Sequence, residues 1–455
     1  MKTVIMAGGK GTRISTMFPD IPKPLIPIKN IDGVEKPVLE WEIRSLVAQG
    51  FDDIILTVSY MHEKIQNYFG DGESVGAKIE YFVEDTPLGN AGALFKMRSA
   101  LGSEPFLLLN AYSVFDIDFK RFVRWHHDHT EALVSLFTHP NSHPYDSGLI
   151  IAEEDSSVSS WLTKEDARPE WYKNRVNAGL HVIDPVVLDM TIQRTGMNPE
   201  SIGTEDSQTG KFIKVDLDRQ ILKPLCGTHK MFCYDSPEYV KDMGTPERYE
   251  QVCRDYSAGV VEAKNLKHPQ KAIFLDRDGT INKYVGFLRN IEEFELIDGV
   301  TEAIKKINES GYLCIVVTNQ PVIARGEVSR EQLKQIHNKM ETLLGKEGAY
   351  IDGLYYCPHH PDKGFEGEVV ELKFDCDCRK PKPGMLLKAA QDFNIDLSKS
   401  WMIGDGDNDV KAGVAAGCHT VKLEQSLDDA VEDAIDGLDF TADLLLAAID
   451  RICKY

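Results

Sequence analysis

Short apolar runs alternate with amphipathic stretches in two separate series, and this double alternation constrains the fold more than any other feature. KTVIM, VLEWEIRSLVAQGF and DIILTVS open the first series, and FLLLN with a helix expected over 119–127 continues it. From about Asp255 the chain turns polar, AKNLKHPQK offering no periodic face, before AIFL at Ala272 starts the rhythm again. Helices are expected over 300–310 and 329–344, with strands at YLCIVVTN and SWMIGD. Strands alternating with helices build parallel sheets covered on both faces. The spacing therefore predicts two α/β domains, 1–262 and 271–455, joined by a linker over 263–270. A chain of 455 residues is also too long for one ordinary core. The acidic stretch after Leu423, with DDAVEDAID and ADLLLAAIDRI, reads as a surface-packed helix pair.

Lys+Arg number 51 against 72 Asp+Glu, a net charge of −21 whose field repels nucleic acid and anionic membranes. No apolar run approaches the roughly 18 residues of a membrane helix. MKTVIMAGGKGTR runs straight from a strand into glycines, without the apolar core of a signal peptide. Of nine cysteines, Cys357, Cys376 and Cys378 crowd beside histidines, which suggests metal in a reducing compartment rather than disulfides. The expectation is a cytoplasmic protein with no nucleic-acid or membrane partner; a homo-oligomer stays open.

In the second domain, FLDRDGTIN places Asp276 and Asp278 at the carboxyl end of a strand, where open α/β sheets bind ligands. Alternation would point both side chains the same way. Such a pair can divide labour, one carboxylate attacking phosphorus and the other moving protons. Two anions facing a phosphate need a cation, and oxygen ligands select Mg²⁺. Thr318, Asn319 and Gln320 end the next strand with a hydroxyl and two amides suited to phosphate oxygens, and Lys380 and Lys382 offer charge. GDGDND supplies Asp405 and Asp409 as a further acidic source. These elements, in this order, resemble the haloacid dehalogenase-type phosphatases. The resemblance implies that Asp276 is the nucleophile and Asp278 the general acid/base, whose backbone carbonyl also meets Mg²⁺. It further implies phosphoryl binding by Thr318, substrate contacts from Asn319, Gln320 and Arg325, and completion of the metal site by Asp405. Gly406 departs from the pattern, since relatives often carry lysine there.

CPHH and CDC give two thiol-rich pairs of the kind that structural Zn²⁺ prefers. They resemble, in order, the zinc loop of the histidinol-phosphate and heptose-bisphosphate phosphatases. That likeness implies Zn²⁺ on Cys357, His359, Cys376 and Cys378, with His360 as a competing ligand, and Arg379 and Lys380 held at the substrate phosphate.

In the first domain, AGGKGTR lets backbone N–H groups of Gly8, Gly9, Gly11 and Thr12 approach a polyphosphate, with Lys10 and Arg13 adding charge. The loop fits neither a Walker motif nor a dinucleotide fingerprint, Ile14 standing where a third glycine would fall. Lys23, locked between Pro22 and Pro24, is a rigidly presented cation. AGGKGTR followed by PKPL resembles the signature of sugar-1-phosphate nucleotidyltransferases, which implies a Rossmann-like domain. By that likeness EDTPLGNAGAL meets base and ribose with Gly89 near the base. Lys164, Asn177 and Gly179 lie on the sugar side, and Asp242 of KDMGTPERY binds a second Mg²⁺. Relatives usually read Asn-Gly-Asp after the central strand, the aspartate being the other Mg²⁺ ligand. Here the residues are Asn110, Ala111 and Tyr112. A phenol with an unperturbed pKa of about 10 is a poor ligand for a hard cation. Asp116 and Asp118 could substitute only with a strand shift. The expectation is a metal held by Asp242, the triphosphate and water, with activity weakened or metal preference changed.

The pairing resembles the bifunctional bacterial enzymes that make GDP-D-glycero-D-manno-heptose. The resemblance implies removal of the 7-phosphate from a heptose 1,7-bisphosphate, then guanylyl transfer from GTP to the heptose 1-phosphate. A histidinol phosphatase would have no such relation to a sugar nucleotide. Three other readings remain open: a mannose-1-phosphate guanylyltransferase fused to an unrelated phosphatase, a phosphatase carrying a non-catalytic sugar-nucleotide sensor, and a purely structural first domain.

Overall fold

The computed structural model describes residues 1–9, 11, 13–111, 113–424 and 436–453. Lys10, Thr12, Tyr112 and the DDAVEDA part of the tail thus lie outside the described residues. The chain forms two compact units. The first comprises residues 1–138, 150–162 and 177–265, and the second 139–149, 163–176 and 266–455.

In the first unit, β1 (Thr3–Met6), α1 (Val38–Ala48), β2 (Asp53–Val58), β3 (Lys78–Val83) and β4 (Phe106–Asn110) build a parallel core in the order β4-β1-β2-β3. FLLLN is buried on both faces. Phe106 and Leu108 join one apolar layer, and Leu107 and Leu109 the other, as a strand covered on both sides requires. Beyond β4 come β5 (Ser113–Asp116), α2 (Phe119–Asp128), β6 (Val134–His139), β7 (Leu149–Ala152), β8 (Val158–Leu162) and β9 (Val176–Ile183). Asp118 caps α2 by accepting from the Arg121 N–H. β9 returns antiparallel to β4 and places Leu180 opposite Leu109. β10 (Met231–Asp235) runs parallel to β6, and β11 (Tyr239–Asp242) pairs antiparallel with β5, ahead of α3 (Pro246–Ser257).

The second unit contains a six-stranded parallel sheet. Its elements are β12 (Lys271–Leu275), α4 (Val300–Glu309), β13 (Tyr312–Asn319), α5 (Arg330–Lys346), β14 (Gly353–Cys357), α6 (Gly384–Phe393), β15 (Trp401–Gly404), α7 (Asp407–Ala416), β16 (His419–Leu423), β17 (Phe440–Ala442) and α8 (Leu445–Ile452). Strand order is β14-β13-β12-β15-β16-β17. Alternation splits β12 between two cores, Ile273 and Leu275 on one face and Ala272 and Phe274 on the other. Ser329 and Gln332 form the capping box that starts α5.

Three expectations are corrected. The polar stretch before β12 is not a bare linker. Asn265 is buried and donates to Asp116, while buried Leu266 accepts from the Asn394 side-chain amide and buried Gln270 donates its N–H to the Asn394 carbonyl. Of the helix pair expected in the tail, the first lies outside the described residues and the second is α8, but an unexpected edge strand, β17, precedes it. The second unit also takes in 163–176. There the Thr342 hydroxyl accepts from the Tyr172 N–H and donates to its carbonyl, and Glu341 accepts from the Asn174 N–H. No local pattern in the sequence signals this long-range pairing.

Candidate active sites

Asp276 follows β12 directly, and its N–H donates to Ile403 of β15, which fixes the strand end between its neighbours. Asp276, Asp405 and Asp409 bring one carboxylate oxygen each to within 4.8 Å of one another. Lys380 sits among them, its Nζ 2.8 Å from Asp276 Oδ1, 2.5 Å from Asp409 and donating to the Val317 carbonyl at 2.8 Å. Burial would lower the Lys380 pKa, but Asp276 and Asp409 outweigh it and hold the ammonium above its usual value. Burial pushes Asp276 up to about 6 despite Lys380, with Asp409 adding to the rise. Burial and then Asp276 raise Asp405 to about 6. One lysine against three crowded carboxylates leaves excess negative charge, which a divalent cation on oxygen ligands would neutralise. Gly279, at φ +79°, allows the loop to pass beside Asp405, since any Cβ there would collide with that carboxylate.

Asp278 does not share this cluster. The chain turns after β12, and the Asp278 carboxylate accepts from Arg277 Nη2 at 2.8 Å, Asn282 Nδ2 at 3.0 Å and Gln320 Nε2 at 2.8 Å. The two aspartates therefore diverge rather than point alike, and Asp278 adds no side-chain oxygen to the acidic group. Arg277, which sequence reasoning missed, is fully buried and donates to His337 Nε2 at 3.1 Å. Thr318 is buried and accepts from Gln320. Asn319 spends both ends of its amide on the Lys380 backbone, accepting from N–H and donating to the carbonyl at 3.0 Å each. That clamp sets the lysine rather than leaving the amide open. Lys382 is drawn away from the cluster, to Asp375 at 2.7 Å.

The four proposed zinc ligands converge. Cys357 Sγ lies 3.4 Å from Cys376 Sγ and 3.6 Å from His359 Nδ1, and Cys378 Sγ lies 3.2 Å from Cys376 and 3.3 Å from His359. A tetrahedron with Zn–S bonds of about 2.3 Å has edges of roughly 3.8 Å, so the donor set fits Zn²⁺. A hydrogen bond from Cys357 pulls the Cys378 thiol down, while Cys357 and Cys376 are pushed up, so a metal bound here would displace the remaining thiol protons. His360 is outside the group, its Nδ1 accepting from the Asp362 N–H. Arg379 donates to the His359 carbonyl at 3.3 Å, and Arg325 lies between the Phe287 and Phe365 rings, 4.1 and 4.4 Å from their centroids.

The first unit holds a cavity of about 510 Å³, lined among others by Gly9, Gly11, Arg13, Lys23, Asn110, Ser113, Asn177, Gly179 and Asp242. Asp242, at the end of β11, lies 3.3 Å from Lys23 Nζ and 2.8 Å from Arg248 Nη1. Burial would raise the Asp242 pKa, yet Lys23 and Arg248 hold it below the carboxylate range. Burial lowers the Lys23 pKa, Asp242 partly offsetting this and Arg13 adding to it. Arg248 was missed, although it stands six residues after Asp242 in the first turn of α3, capped by Thr245. Gly244 brings the backbone close to Asp242 and Arg13. Asp116 accepts from Ser45 and Asn265, and Asp118 caps α2, so neither lines the cavity. Gly8 packs by Ser59 and Glu84, and Gly89, at φ +82°, lies against the Val215 backbone. Lys164 is exposed, in a segment grouped with the second unit. None of these three is among the lining residues.

A nucleotidyl transferase family model matches residues 2–258, more than half of the chain. A haloacid dehalogenase-like hydrolase model matches residues 228–417. The D-glycero-beta-D-manno-heptose-1,7-bisphosphate 7-phosphatase of Yersinia pestis is 46% identical over 152 residues, 33% of this chain and 79% of that one. Its Escherichia coli K12 counterpart is 44% identical over 168 residues, 36% of this chain and 86% of that one. A crystal structure of HddC from Yersinia pseudotuberculosis, complexed with GMP-PN, is 24% identical with a TM-score of 0.43, covering 56% of this chain and 99% of that one. No described helix is long and apolar enough to cross a membrane. The chain belongs to the nucleotidyl transferase family and, over its second part, to the haloacid dehalogenase-like hydrolases that include those 7-phosphatases.

Proposed function

We propose that this chain is a bifunctional enzyme of nucleotide-activated heptose synthesis. Its second unit removes the 7-phosphate of D-glycero-D-manno-heptose 1,7-bisphosphate, and its first transfers the guanylyl group of GTP to the resulting heptose 1-phosphate. One observation carries the reading: a single chain holds a carboxylate–lysine site related to heptose-bisphosphate 7-phosphatases and a cation-lined cavity in a nucleotidyl transferase domain. The product of one reaction is the acceptor of the other. A histidinol phosphatase or a non-catalytic sensor would leave that match unexplained.

In the phosphatase, Asp276 attacks phosphorus, and the C7 oxygen leaves with a proton from Asp278. Asp278, now ionised, then takes a proton from the water that attacks the aspartyl-phosphate, which releases phosphate and restores both Asp276 and Asp278. Lys380, clamped by Asn319, keeps Asp276 ionised and aimed; Thr318, Gln320, Arg325 and Arg379 are assigned to the substrate. Mg²⁺ on Asp276 and Asp405, with Asp409 adjacent, would offset phosphoryl charge, and Zn²⁺ on the four N/S ligands would order the loop that carries Arg379 and Lys380. In the transferase, an oxygen of the sugar phosphate attacks the α-phosphorus of GTP and pyrophosphate leaves. Arg13 and Lys23 counter the growing charge, Gly9 and Gly11 admit the phosphates, and Asn177 and Gly179 meet the sugar side. Asp242 would hold the metal there.

The assay presents heptose 1,7-bisphosphate, histidinol phosphate, heptose 1-phosphate and mannose 1-phosphate, the last two with each nucleoside triphosphate. Preference for the two heptose substrates and GTP supports the reading. Phosphate release without any pyrophosphate release would leave a sensor domain. Equal use of mannose 1-phosphate would remove the heptose assignment.

A further inference from the structure

His181 lies in β9 opposite Leu108, in the middle of a sheet whose neighbouring positions are apolar. It is 1% exposed, and its Nδ1 has no hydrogen-bond partner. A buried acceptor without a partner costs stability, which leucine or phenylalanine at this position would not incur. Packing alone gives no reason for a histidine here.

The reason lies at its other nitrogen. Asn177, two turns of the strand pleat away, lines the transferase cavity. Its side-chain Oδ1 accepts from the Gly179 N–H at 3.2 Å and lies 3.2 Å from His181 Nε2. A backbone N–H can only donate, so the Asn177 atom facing Gly179 is the oxygen, and the amide cannot be flipped. His181 must therefore donate through Nε2, with Nδ1 bare. Burial holds the imidazole neutral, its pKa pushed down to about 3. With Oδ1 taken by two donors, the amide has only its nitrogen left to offer a ligand.

We propose that His181 is a positioning residue of the transferase: its Nε2–H locks the Asn177 amide so that the amide nitrogen donates to a phosphate or hydroxyl oxygen of the sugar 1-phosphate. The inference rests on the transferase reading above. His181→Leu removes the donor and suits the buried site, whereas His181→Gln keeps an N–H close to the place of Nε2. Pyrophosphate release by the full chain is followed against heptose 1-phosphate at saturating GTP, together with melting temperature and with phosphate release from the bisphosphate.

His181→Leu is expected to raise KM for heptose 1-phosphate by about tenfold or more, as loss of an oriented hydrogen bond does. KM for GTP, phosphate release and melting temperature should hold or, for the last, rise. His181→Gln should recover most of the lost affinity. An unchanged KM in His181→Leu overturns the inference while leaving the transferase reading intact. So does equal impairment of both variants with a lowered melting temperature, which would mark a packing role. Wild-type protein that neither turns over nor binds heptose 1-phosphate overturns the reading and the inference together.

Discussion

The two sites handle phosphorus with opposite charge balances. Three carboxylates, Asp276 among them, crowd a single buried lysine, whereas at the transferase cavity Asp242 pairs with Lys23 and with Arg248 behind it, and Arg13 stands close by. The difference follows from who brings the nucleophile. A phosphatase that forms an aspartyl-phosphate must supply its own anion, and needs a cation to bring it against an anionic substrate. A nucleotidyl transferase receives its nucleophile with the sugar phosphate, so the protein mainly has to neutralise a triphosphate. Substitutions should therefore separate the two activities cleanly, and the expected effects fall in order of size.

Asp276→Asn should cut phosphate release on the order of 10⁴-fold or more, leaving pyrophosphate release from heptose 1-phosphate and GTP unchanged. Persistent phosphate release would mean that another group attacks. Lys380→Met removes the cation that Asp276 and Asp409 share and should cost roughly 10²–10³-fold in phosphate release. A loss in the transferase as well would break the separation. Cys378→Ser should lower bound zinc from about one per chain and reduce phosphatase activity by roughly 10–100-fold, with metal content read by elemental analysis. Tyr112→Asp supplies the carboxylate that the resemblance to sugar-1-phosphate nucleotidyltransferases implies at this position. It should raise pyrophosphate release at limiting Mg²⁺ by about tenfold, equivalent to about 1.4 kcal/mol. No gain would show that the site draws its charge from Asp242 and the nucleotide alone.

The smallest effect is on pH. Burial pushes the Asp276 and Asp405 carboxyls up to about 6, above the ordinary carboxylate value of 3.8. Below about pH 6 a metal must displace their protons, so apparent Mg²⁺ affinity in the phosphatase should be flat above pH 6 and fall as pH drops through it. Relative to the unfolded chain, the same raised values stabilise the metal-free fold fully below about pH 3.8, a contribution lost progressively as pH rises from there through about 6. Mg²⁺ titrations at pH 5.5 and 7.5 check the first sign, and melting curves without metal check the second.

Much of this was legible in the sequence, because strand ends and short motifs are local features. DRDGT, TNQ, GDGDND and the two thiol pairs are short enough to be matched, in order, to the motifs of the phosphatases they resemble, and FLLLN reads as a buried strand. What the sequence could not display are pairings between distant residues. Arg277 stands next to Asp278 in the chain, but nothing local says that its guanidinium will be backed by His337, 60 residues on, while it holds that carboxylate. Asn319 looks like a phosphate ligand until Lys380 is seen clamped against it, 61 residues away. Asp116, read as a spare metal ligand, is claimed by Ser45 and Asn265. AKNLKHPQK looks like a linker because the burial of Asn265 and Leu266 has no periodicity to betray it.

The central claim, two consecutive reactions on one chain, is tested most directly by following ³¹P resonances after mixing the full-length protein with heptose 1,7-bisphosphate, GTP and Mg²⁺. The account predicts that inorganic phosphate appears first, then pyrophosphate and a sugar nucleotide in equal amounts, with the 1-phosphate retained until it is guanylylated. Pyrophosphate formed while the 7-phosphate is still attached, or phosphate accumulating with no sugar nucleotide at all, would contradict it.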